Sequence, residues 1–263
     1  MEFKILPNIL NLFLEYQLTN EVDIAKQFAL LDTIEITPEN FKFYTSISVM
    51  ASSKIEGETL DIDSYVRHKM FDANYLPNLL EKPNDLYRAY EFAQKNKLTF
   101  SNFLNAHKIL TEHLLPVNER GTIRKNEMII LEHSTNRIEY QAASASIVEN
   151  ELKLFWEDVE TLLNTELELD EAFYYASLIH LVFELIHPFT DGNGRAGRLL
   201  EKWFLVSKLG ERSWCIASEK YYYQNVNQYY KSYRFIGNYY NDMDYTKSLP
   251  FLLMLPKCLQ TNE

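Results

Sequence analysis

The sequence has little of what stabilises small secreted proteins. Among its 263 residues there are two cysteines, Cys215 and Cys258, whose spacing fits neither a disulfide framework nor a metal site. We therefore expect two reduced thiols in a cytoplasmic protein. Glycine is also scarce, with seven residues, and the apolar–polar alternation typical of strands is rare. These shortages argue against a disulfide-stapled domain and against a large β-sheet.

Long apolar runs and an excess of positive charge are missing as well. No run of 18 or more apolar residues occurs, which argues against a transmembrane helix, and no small-residue cleavage site follows the apolar segment at 5–18. The formal charge of −11 opposes general binding to nucleic acid, whose phosphates need surplus lysine and arginine. We expect neither membrane association nor direct nucleic-acid binding.

Apolar residues instead recur at helical spacing through most of the chain. With helices of roughly 11–12 residues and short connections, this pattern predicts an all-α fold of about eight to eleven helices. A hydrophobic fraction of 46% is ordinary for a globular protein. The clearest helical segments span residues 9–31, 41–55, 100–115, 147–163, 172–186 and 199–209.

One segment departs from the helical pattern. Residues 128–131, Met-Ile-Ile-Leu, are β-prone; polar residues 132–136 follow, and residues 137–140 continue with Arg-Ile-Glu-Tyr. We predict a short β-hairpin here. Because an isolated two-stranded hairpin is marginal in water, it should rest on the helical body or gain a partner strand.

A helix is predicted over about 37–57. Threonine can cap a helix and proline suits its first position, so Thr37-Pro38 marks the beginning, and Gly57 is the stop. Glu56 then lies in the last turn, where a carboxylate meets the negative end of the helix dipole at a cost of about 0.3–1 kcal/mol. Glu56 is therefore either solvated or held by a cation elsewhere in the fold.

The most informative segment is residues 187–198, His-Pro-Phe-Thr-Asp-Gly-Asn-Gly-Arg-Ala-Gly-Arg, between two apolar helical runs. Pro188 disfavours helical geometry at His187, so this histidine should lie where the first helix ends. Gly192 and Gly194 free the backbone to turn its N–H groups inward at the start of the second helix. Such a helix terminus can bind an anion, because its unpaired donors and its dipole both favour phosphate.

The charged side chains beside this loop fit phosphate chemistry. Arg195 and Arg198 are three residues apart, so they share a helix face and can hold a polyphosphate. Asp191 offers an oxygen ligand to Mg²⁺ bound on substrate phosphates, and His187 can take a proton from an attacking hydroxyl near neutral pH. Together these groups predict phosphoryl or nucleotidyl transfer.

Each of these residues also has an ordinary structural interpretation. His187 alone would be a helix-end histidine, Asn193 a helix cap and a lone arginine a solvated helix side chain. Their coincidence within one short segment argues against that interpretation. A zinc site made of His180, Glu184 and His187 is weakly supported, because their spacing lacks the two-histidine pattern of helical metalloprotease sites.

Residues 187–198 resemble the signature of the Fic family, H-x-F-x-[D/E]-G-N-G-R-x-x-R, with every fixed position filled. The resemblance implies a helical Fic core with a small hairpin flap, and transfer of AMP from ATP to a serine, threonine or tyrosine hydroxyl. By position, His187 would be the base and Asp191 the Mg²⁺ ligand. The residues that would bind the ATP phosphates are Gly192, Asn193, Gly194, Arg195 and Arg198.

The resemblance continues outside the signature. Residues 121–124, Gly-Thr-Ile-Arg, and the hairpin after them resemble the family's flap, which covers the nucleotide and aligns a target segment by strand addition. Ala142 and Ala143 stand where many members have two prolines. Tyr229 and Tyr230 match a tyrosine pair near the adenine. The flap residues expected at the nucleotide are Met128, Ile129, Ile130 and Leu131.

An N-terminal segment, residues 52–57, resembles the family's inhibitory motif, [S/T]-x-x-x-E-[G/N]. In such members the glutamate reaches the second arginine of the signature, here Arg198, and ATP then binds in an orientation unfit for transfer. Ser52 and Glu56 would be the inhibitory residues. The resemblance divides the chain into an N-terminal helical region with this inhibitory helix (1–104), a Fic catalytic core (105–250) and a C-terminal tail (251–263).

The sequence thus predicts a cytoplasmic, autoinhibited protein adenylyltransferase that uses ATP with Mg²⁺. The target protein is not identified; the chain itself is one candidate, and a homo-oligomer stays open. Among enzymes, the alternatives are another nucleotide or phosphocholine-type donor, or removal of AMP with Glu56 positioning a water. The alternative from a different class is a non-catalytic nucleotide-sensing interaction module. His187, Asp191 and Arg198 argue against it, because a binding module needs no base.

Overall fold

The computed structural model describes residues 2–9, 11–131 and 138–261 and shows the predicted helical protein with one hairpin. The described residues hold more α-helices than expected, because several have only four to seven residues. The strands are β1 (Ile129–Leu131) and β2 (Ile138–Gln141). The helices are α1 (Leu12–Thr19), α2 (Ile24–Leu30), α3 (Pro38–Ile55), α4 (Ile62–Phe71), α5 (Pro77–Lys95), α6 (Phe100–Leu110), α7 (Val148–Asn164), α8 (Leu169–Ile186), α9 (Asn193–Leu209), α10 (Ser218–Gln224), α11 (Val226–Ile236), α12 (Leu249–Leu252) and α13 (Met254–Lys257).

Helix α3 begins as its sequence predicts. Thr37 Oγ1 accepts a hydrogen bond from the Asn40 backbone N–H at 3.1 Å, and Pro38 occupies the first helical position. After the helix ends, Gly57 adopts a φ of 89°, a left-handed conformation that glycine reaches without a Cβ clash. Glu56 is thereby presented at the C-terminal end of the helix.

Helices α8 and α9 form the centre of the fold. Most of their side chains are buried, including Phe183 on α8 and Phe204 on α9. A helix that is apolar on nearly all sides lies inside a protein and not on its surface. The same hydrophobic core takes in Val49 of α3, so it extends across the predicted boundary between 104 and 105. No helix of the described ranges is long and apolar enough to cross a bilayer.

The C-terminal segment is not a free tail. Residues 251–263 were assigned to a tail on the resemblance, but Phe251, Leu255 and Cys258 are fully buried. This stretch forms α12, α13 and a final 3₁₀ turn, because its apolar residues have helical spacing and pack against α8 and α10. The segment therefore belongs to the core as far as residue 259, and residues 262–263 lie outside the described residues.

The predicted hairpin is present and rests on the helical body. Strands β1 and β2 pair antiparallel, with Ile130 opposite Tyr140. The predicted turn at 132–136 and the residue after it lie outside the described ranges. Gln141 is the last residue of β2, and its backbone N–H donates to the Asn238 carbonyl at 2.8 Å. The helical body therefore supplies the support that a lone hairpin needs.

One carboxylate holds the first residues of the chain against the helical body. Asp158 on α7 is buried and accepts hydrogen bonds from the backbone N–H groups of Lys4 at 2.9 Å, Ile5 at 2.7 Å and Leu6 at 2.9 Å. Hydrogen bonds to an ionised acceptor are stronger than neutral ones. This contact therefore ties the N-terminal segment to the core.

We expect Asp158→Ala to lower the free energy of unfolding by about 2–4 kcal/mol, because three backbone donors lose their charged acceptor. The matched control is Glu157→Ala. Among the described residues, the Glu157 side chain is hydrogen-bonded to the exposed Lys4 side chain, so its loss should lower the free energy of unfolding far less than the loss of Asp158. Urea denaturation followed by circular dichroism measures both variants. Equal losses would contradict the role given to Asp158.

Candidate active site

The loop between α8 and α9 and the C-terminal end of α3 meet at a cavity of about 500 Å³. Helix α8 ends just before His187 and α9 begins at Asn193, so the residues singled out in the sequence lie where two buried helices meet. The residues that line the cavity include Glu56, Glu184, His187, Gly194, Arg198 and Tyr229.

His187 directly follows α8 with a φ of 51° and a ψ of 60°, a left-handed conformation that is uncommon for a residue with a Cβ. Its Nδ1 lies 3.2 Å from the Glu184 carbonyl oxygen. Because a carbonyl can only accept, Nδ1 carries the hydrogen and Nε2 is left as an acceptor. Burial lowers the pKa of His187 to about 4. The imidazole is therefore neutral near pH 7, the form in which a general base acts.

The loop after His187 is fixed by its own side chains. The Asn193 amide bridges the backbone of Phe189, accepting from its N–H at 2.9 Å and donating to its carbonyl at 2.8 Å. Gly192 has a φ of 82°, and a Cβ at this position would lie 2.8 Å from Thr111 Cγ2. Only glycine fits there. The Asn193 side chain, which was assigned to the nucleotide on the resemblance, is buried and shapes the loop.

His107 on α6 braces the same loop. Its Nδ1 accepts from the Gly121 N–H at 3.0 Å, so its Nε2 carries the hydrogen and donates to the Asp191 carbonyl at 2.9 Å. Its ring stacks on Phe189 with 3.6 Å between the ring centroids. Sequence reasoning missed His107, because a histidine within an amphipathic helix gives no local sign of a partner far along the chain.

Asp191 is suited to an ion that arrives with a substrate. Its side chain is exposed, and Oδ1 accepts from the Gly192 N–H at 2.6 Å. Within the ranges that the structure describes, no three His, Cys, Asp or Glu side chains cluster as a complete protein metal site. Mg²⁺ bound mainly by phosphates needs only one or two protein carboxylates. The donor set therefore fits the predicted ion.

Arg198 is buried and engaged by α3. Its Nη2 donates to Glu56 Oε1 at 2.6 Å, its Nε to Ser52 Oγ at 2.9 Å and its Nη1 to the Tyr229 hydroxyl at 3.3 Å. Burial would raise the pKa of Glu56, but the charges of Arg198 and Arg195 outweigh burial and hold that pKa below its ordinary value. The carboxylate at the end of α3 is therefore held by a cation.

Helices α3 and α9 lie side by side through two matched polar contacts. One turn before Ser52, Ser48 Oγ accepts from Lys202 Nζ at 2.7 Å, and Lys202 lies one turn after Arg198. Lys202 Nζ also donates to Glu219 Oε2 at 2.5 Å. All of these polar groups are buried, so each needs the partner it has.

The two arginines of the loop differ in their partners. Arg195 is buried, but its Nε and Nη1 have no hydrogen-bond partner among the described residues. Unpaired guanidinium nitrogens inside a protein are costly, so they favour an anionic ligand. Gly194 lines the cavity, where an added Cβ would lie 2.3 Å from Glu56 Oε1. Arg198 lines the cavity and is occupied, whereas Arg195 has unpaired donors but is not among the residues that line the cavity.

The two tyrosines of the predicted pair both line the cavity but differ in how deeply they are buried. Tyr229 is buried, whereas Tyr230 is 41% exposed, and both line the cavity. The Tyr229 hydroxyl lies 3.0 Å from His180 Nε2, and His180 Nδ1 lies 2.8 Å from Glu201 Oε2. His180 therefore belongs to a hydrogen-bonded chain behind Arg198 and not to a zinc site. Sequence reasoning missed Glu201, because nothing in its local sequence points to His180.

The hairpin contributes to the cavity from both strands. Of the flap residues expected at the nucleotide, Ile130 lines the cavity, and Met128 and Ile129 do not. Leu131 is part of β1, but its side chain lies outside the described part of the chain. Tyr140 on β2 also lines the cavity, because antiparallel pairing places it opposite Ile130. Sequence reasoning missed Tyr140, because the turn of a hairpin determines which residues of the two strands stand opposite each other.

Glu184 is a carboxyl group in the same cavity, with one oxygen left unpaired. Its Oε1 is buried without a hydrogen-bond partner, and a Cβ added to Gly197 would lie 2.5 Å from it. Burial raises the pKa of Glu184 to about 8; Glu56 adds to this effect and Arg198 opposes it. Glu184 is therefore mostly neutral at pH 7.

Residues 97–205 match the family model described as the Fic/DOC family, a range that includes the whole loop with His187 and both arginines. The chain therefore contains a Fic/DOC-family segment, which covers less than half of its length. The helix that carries Glu56 lies outside the matched range.

Curated relatives of this Fic chain are named protein adenylyltransferase Fic. One from Drosophila erecta is 31% identical over 114 residues, which are 43% of this chain and 21% of the relative. One from Nematostella vectensis is 25% identical over 167 residues, which are 64% of this chain and 34% of the relative. The matched segments thus span only a fifth to a third of these relatives.

Solved structures share the fold over nearly the whole Fic chain. A Fic family protein from Desulfovibrio desulfuricans has a TM-score of 0.77 at 20% identity, covering 98% of this chain and 76% of that one. A Fic domain-containing signaling protein from Bacteroides thetaiotaomicron has a TM-score of 0.69 at 19% identity, covering 90% and 91%. The likeness therefore extends to the N-terminal helices that the family model leaves out.

We expect Glu184→Gln to stabilise the Fic chain at pH 8 and to change little at pH 5. The folded-state pKa of about 8 lies above the ordinary value of 4.5, so the unfolded chain releases a proton that the folded chain keeps. Stability is therefore lost as pH rises between these values, and glutamine removes that loss. The midpoint of thermal unfolding should rise by roughly 2–8 °C at pH 8. A shift of the same size at pH 5 would contradict this.

Proposed function

We propose that this Fic protein is an autoinhibited protein adenylyltransferase, which transfers AMP from ATP to a serine, threonine or tyrosine hydroxyl. One observation carries the proposal. A neutral histidine and a buried arginine line the same cavity, and the arginine is occupied by a carboxylate from another helix. The names of the curated relatives support the same reaction.

The proposed chemistry begins with the neutral imidazole. Nε2 of His187 accepts the proton of the target hydroxyl, and the hydroxyl oxygen forms a bond to the α-phosphorus of ATP. The bond from that phosphorus to the bridging oxygen breaks, and pyrophosphate leaves. The unpaired nitrogens of Arg195 provide hydrogen bonds to the phosphates. Mg²⁺ bound at Asp191 would neutralise part of the phosphate charge.

The hairpin provides a place for the target in this proposal. Strand β1 pairs with β2 on one side, and its residues Ile129 and Ile130 are 46% and 37% exposed. An extended target segment can add to the free edge of such a strand through backbone hydrogen bonds. Ile130 also lines the cavity, so a segment bound there would lie beside the nucleotide.

The proposed inhibition follows from the partners of Arg198. Its guanidinium already donates to Glu56, Ser52 and Tyr229, so it has few donors to offer the terminal phosphate of ATP. Glu56 also places a negative charge where that phosphate would bind. Removal of the carboxylate frees Arg198 and relieves the repulsion.

A second candidate is removal of AMP from a modified protein. The Glu56 side chain is 28% exposed in the cavity that also contains His187, so it could orient an attacking water. Incubation of a labelled, AMP-modified protein with wild type and with Glu56→Gly distinguishes the two activities. Release of AMP that depends on Glu56 would favour this candidate.

We expect Glu56→Gly to transfer label from α-labelled ATP with Mg²⁺ at least about tenfold faster than wild type, because Arg198 becomes free. The double variant His187→Ala/Glu56→Gly should lose about 10²–10⁴-fold of that rate and keep its ATP affinity. Gel autoradiography measures transfer, and calorimetry measures ATP binding. Absence of label in every variant, with ATP bound, would refute transfer of AMP.

We expect Ser52→Ala to give transfer between the rates of wild type and Glu56→Gly, because it removes one of the hydrogen bonds that hold Arg198 against α3. The matched control is Ser53→Ala. Ser53 is buried like Ser52, but its Oγ has no hydrogen-bond partner among the described residues. If both variants raise transfer equally, the effect comes from helix stability and not from the contact with Arg198.

A further inference from the structure

Arg124, between α6 and the hairpin, is only 4% exposed. Its side chain donates to backbone carbonyls: Nε to His187 at 2.7 Å, Nη1 to Asn126 at 2.7 Å and Nη2 to Ala143. Its backbone N–H donates to the Pro188 carbonyl at 2.9 Å. A buried guanidinium must satisfy its donors, and here it does so on three separate segments of the chain.

These carbonyls belong to the proposed base and to both ends of the hairpin. Asn126 precedes β1 and Ala143 follows β2, so Arg124 joins the two points at which the hairpin leaves the helical body. The third carbonyl is that of His187, at the C-terminal end of α8. A cation is favoured there, because the helix dipole places negative charge at that end.

The contact with His187 supports a strained conformation. His187 has a positive φ, which is uncommon for a residue with a Cβ and persists only where surrounding contacts hold it. The two hydrogen bonds from Arg124 fix the consecutive carbonyls of His187 and Pro188, which belong to the first two peptide groups after the base.

We propose that Arg124 is a positioning residue that couples the hairpin to the base. The placement of a target segment on β1 and the orientation of the His187 ring then depend on one side chain. This inference rests on the proposed function of the site for its consequence in catalysis. The coupling between the hairpin and His187 is a property of the fold, so it can be tested without measuring the transfer of AMP.

The pKa of His187 provides a readout that would not change if Arg124 had a purely structural role. Burial is the main reason that the pKa of His187 is low, and the positive charge of Arg124 lowers it further. Loss of that charge should raise the pKa of His187, whereas a lysine should leave it nearly unchanged. Lysine cannot reach three carbonyls with a planar fork, so it should still loosen the hairpin.

The first experiment compares Arg124→Gln and Arg124→Lys in the full chain by NMR. We expect the titration midpoint of the His187 ring to rise in Arg124→Gln only. We expect the Ala142 amide, which closes the hairpin by donating to the Met128 carbonyl at 3.1 Å, to exchange roughly tenfold faster in both variants. Should Arg124→Gln not fold, wild-type Ala142 exchange in Arg124→Lys would still refute the proposal.

The matched control is Arg120→Gln. Arg120 lies on the same segment and donates from Nε to a single carbonyl, that of Leu115, at 2.7 Å. Its loss should leave both readouts at wild-type values. If Arg124→Gln and Arg124→Lys behave like Arg120→Gln, or if only one of the two readouts responds in Arg124→Gln, the coupling is refuted.

The second experiment places the same variants in the Glu56→Gly background. We expect the rate of AMP transfer to fall about 100-fold in Arg124→Gln and Arg124→Lys, since a small misplacement of reacting groups has effects of that size, with ATP affinity within about twofold of the parent. Unchanged transfer rates would refute the catalytic part of the inference. If the Glu56→Gly parent transfers no AMP, the proposed function fails, and the NMR readouts still decide the role of Arg124.

Discussion

The arrangement of the site depends on one requirement, that the buried guanidinium of Arg198 be neutralised and hydrogen-bonded. An unpaired charge at this depth would be strongly destabilising. In this structure the partners come from α3, which supplies Glu56 and Ser52, and from α11, which supplies Tyr229. The position of α3 against α9 and the occupancy of the cavity therefore follow from one electrostatic constraint.

A second constraint acts on the loop. His187 needs a left-handed backbone, Gly192 has no space for a Cβ, and the Asn193 amide is used to fix the turn. Residues outside the loop complete this geometry, with Arg124 holding one end and His107 the other. The loop is thus held by residues outside it as well as by its own side chains.

Sequence reasoning predicted those features of the fold and the site that residues close together in the chain reveal. Thr37 and Pro38 announce the start of α3, and the glycines and arginines of the loop are close together in the chain. The hairpin also had a local signal in its β-prone residues. Glu56 stood out because its charge opposes the helix dipole, a conflict that left solvation or a distant cation as alternatives until the family resemblance pointed to Arg198.

The parts that were missed depend on contacts between distant segments. His107, Glu201 and Tyr140 have no unusual neighbours in the sequence, and only packing brings them to the site. The C-terminal residues were assigned to a tail on resemblance, although Phe251 and Leu255 are core residues. Burial of that kind is a property of the whole fold and cannot be read from one short segment.

The burial of α3 limits the movements that could break the hydrogen bonds of Glu56 and Ser52 to Arg198. Val49 and Met50 are fully buried, and Ser48 is fixed to Lys202, so the helix cannot swing away as a unit without opening the core. The last turn is held as well, because Ser52, Ser53 and Ile55 are buried and the Glu58 N–H donates to the Ser53 carbonyl at 3.0 Å. Separation of Glu56 from Arg198 with the helix left in place would have to come from rotation of the Glu56 side chain, which is 28% exposed.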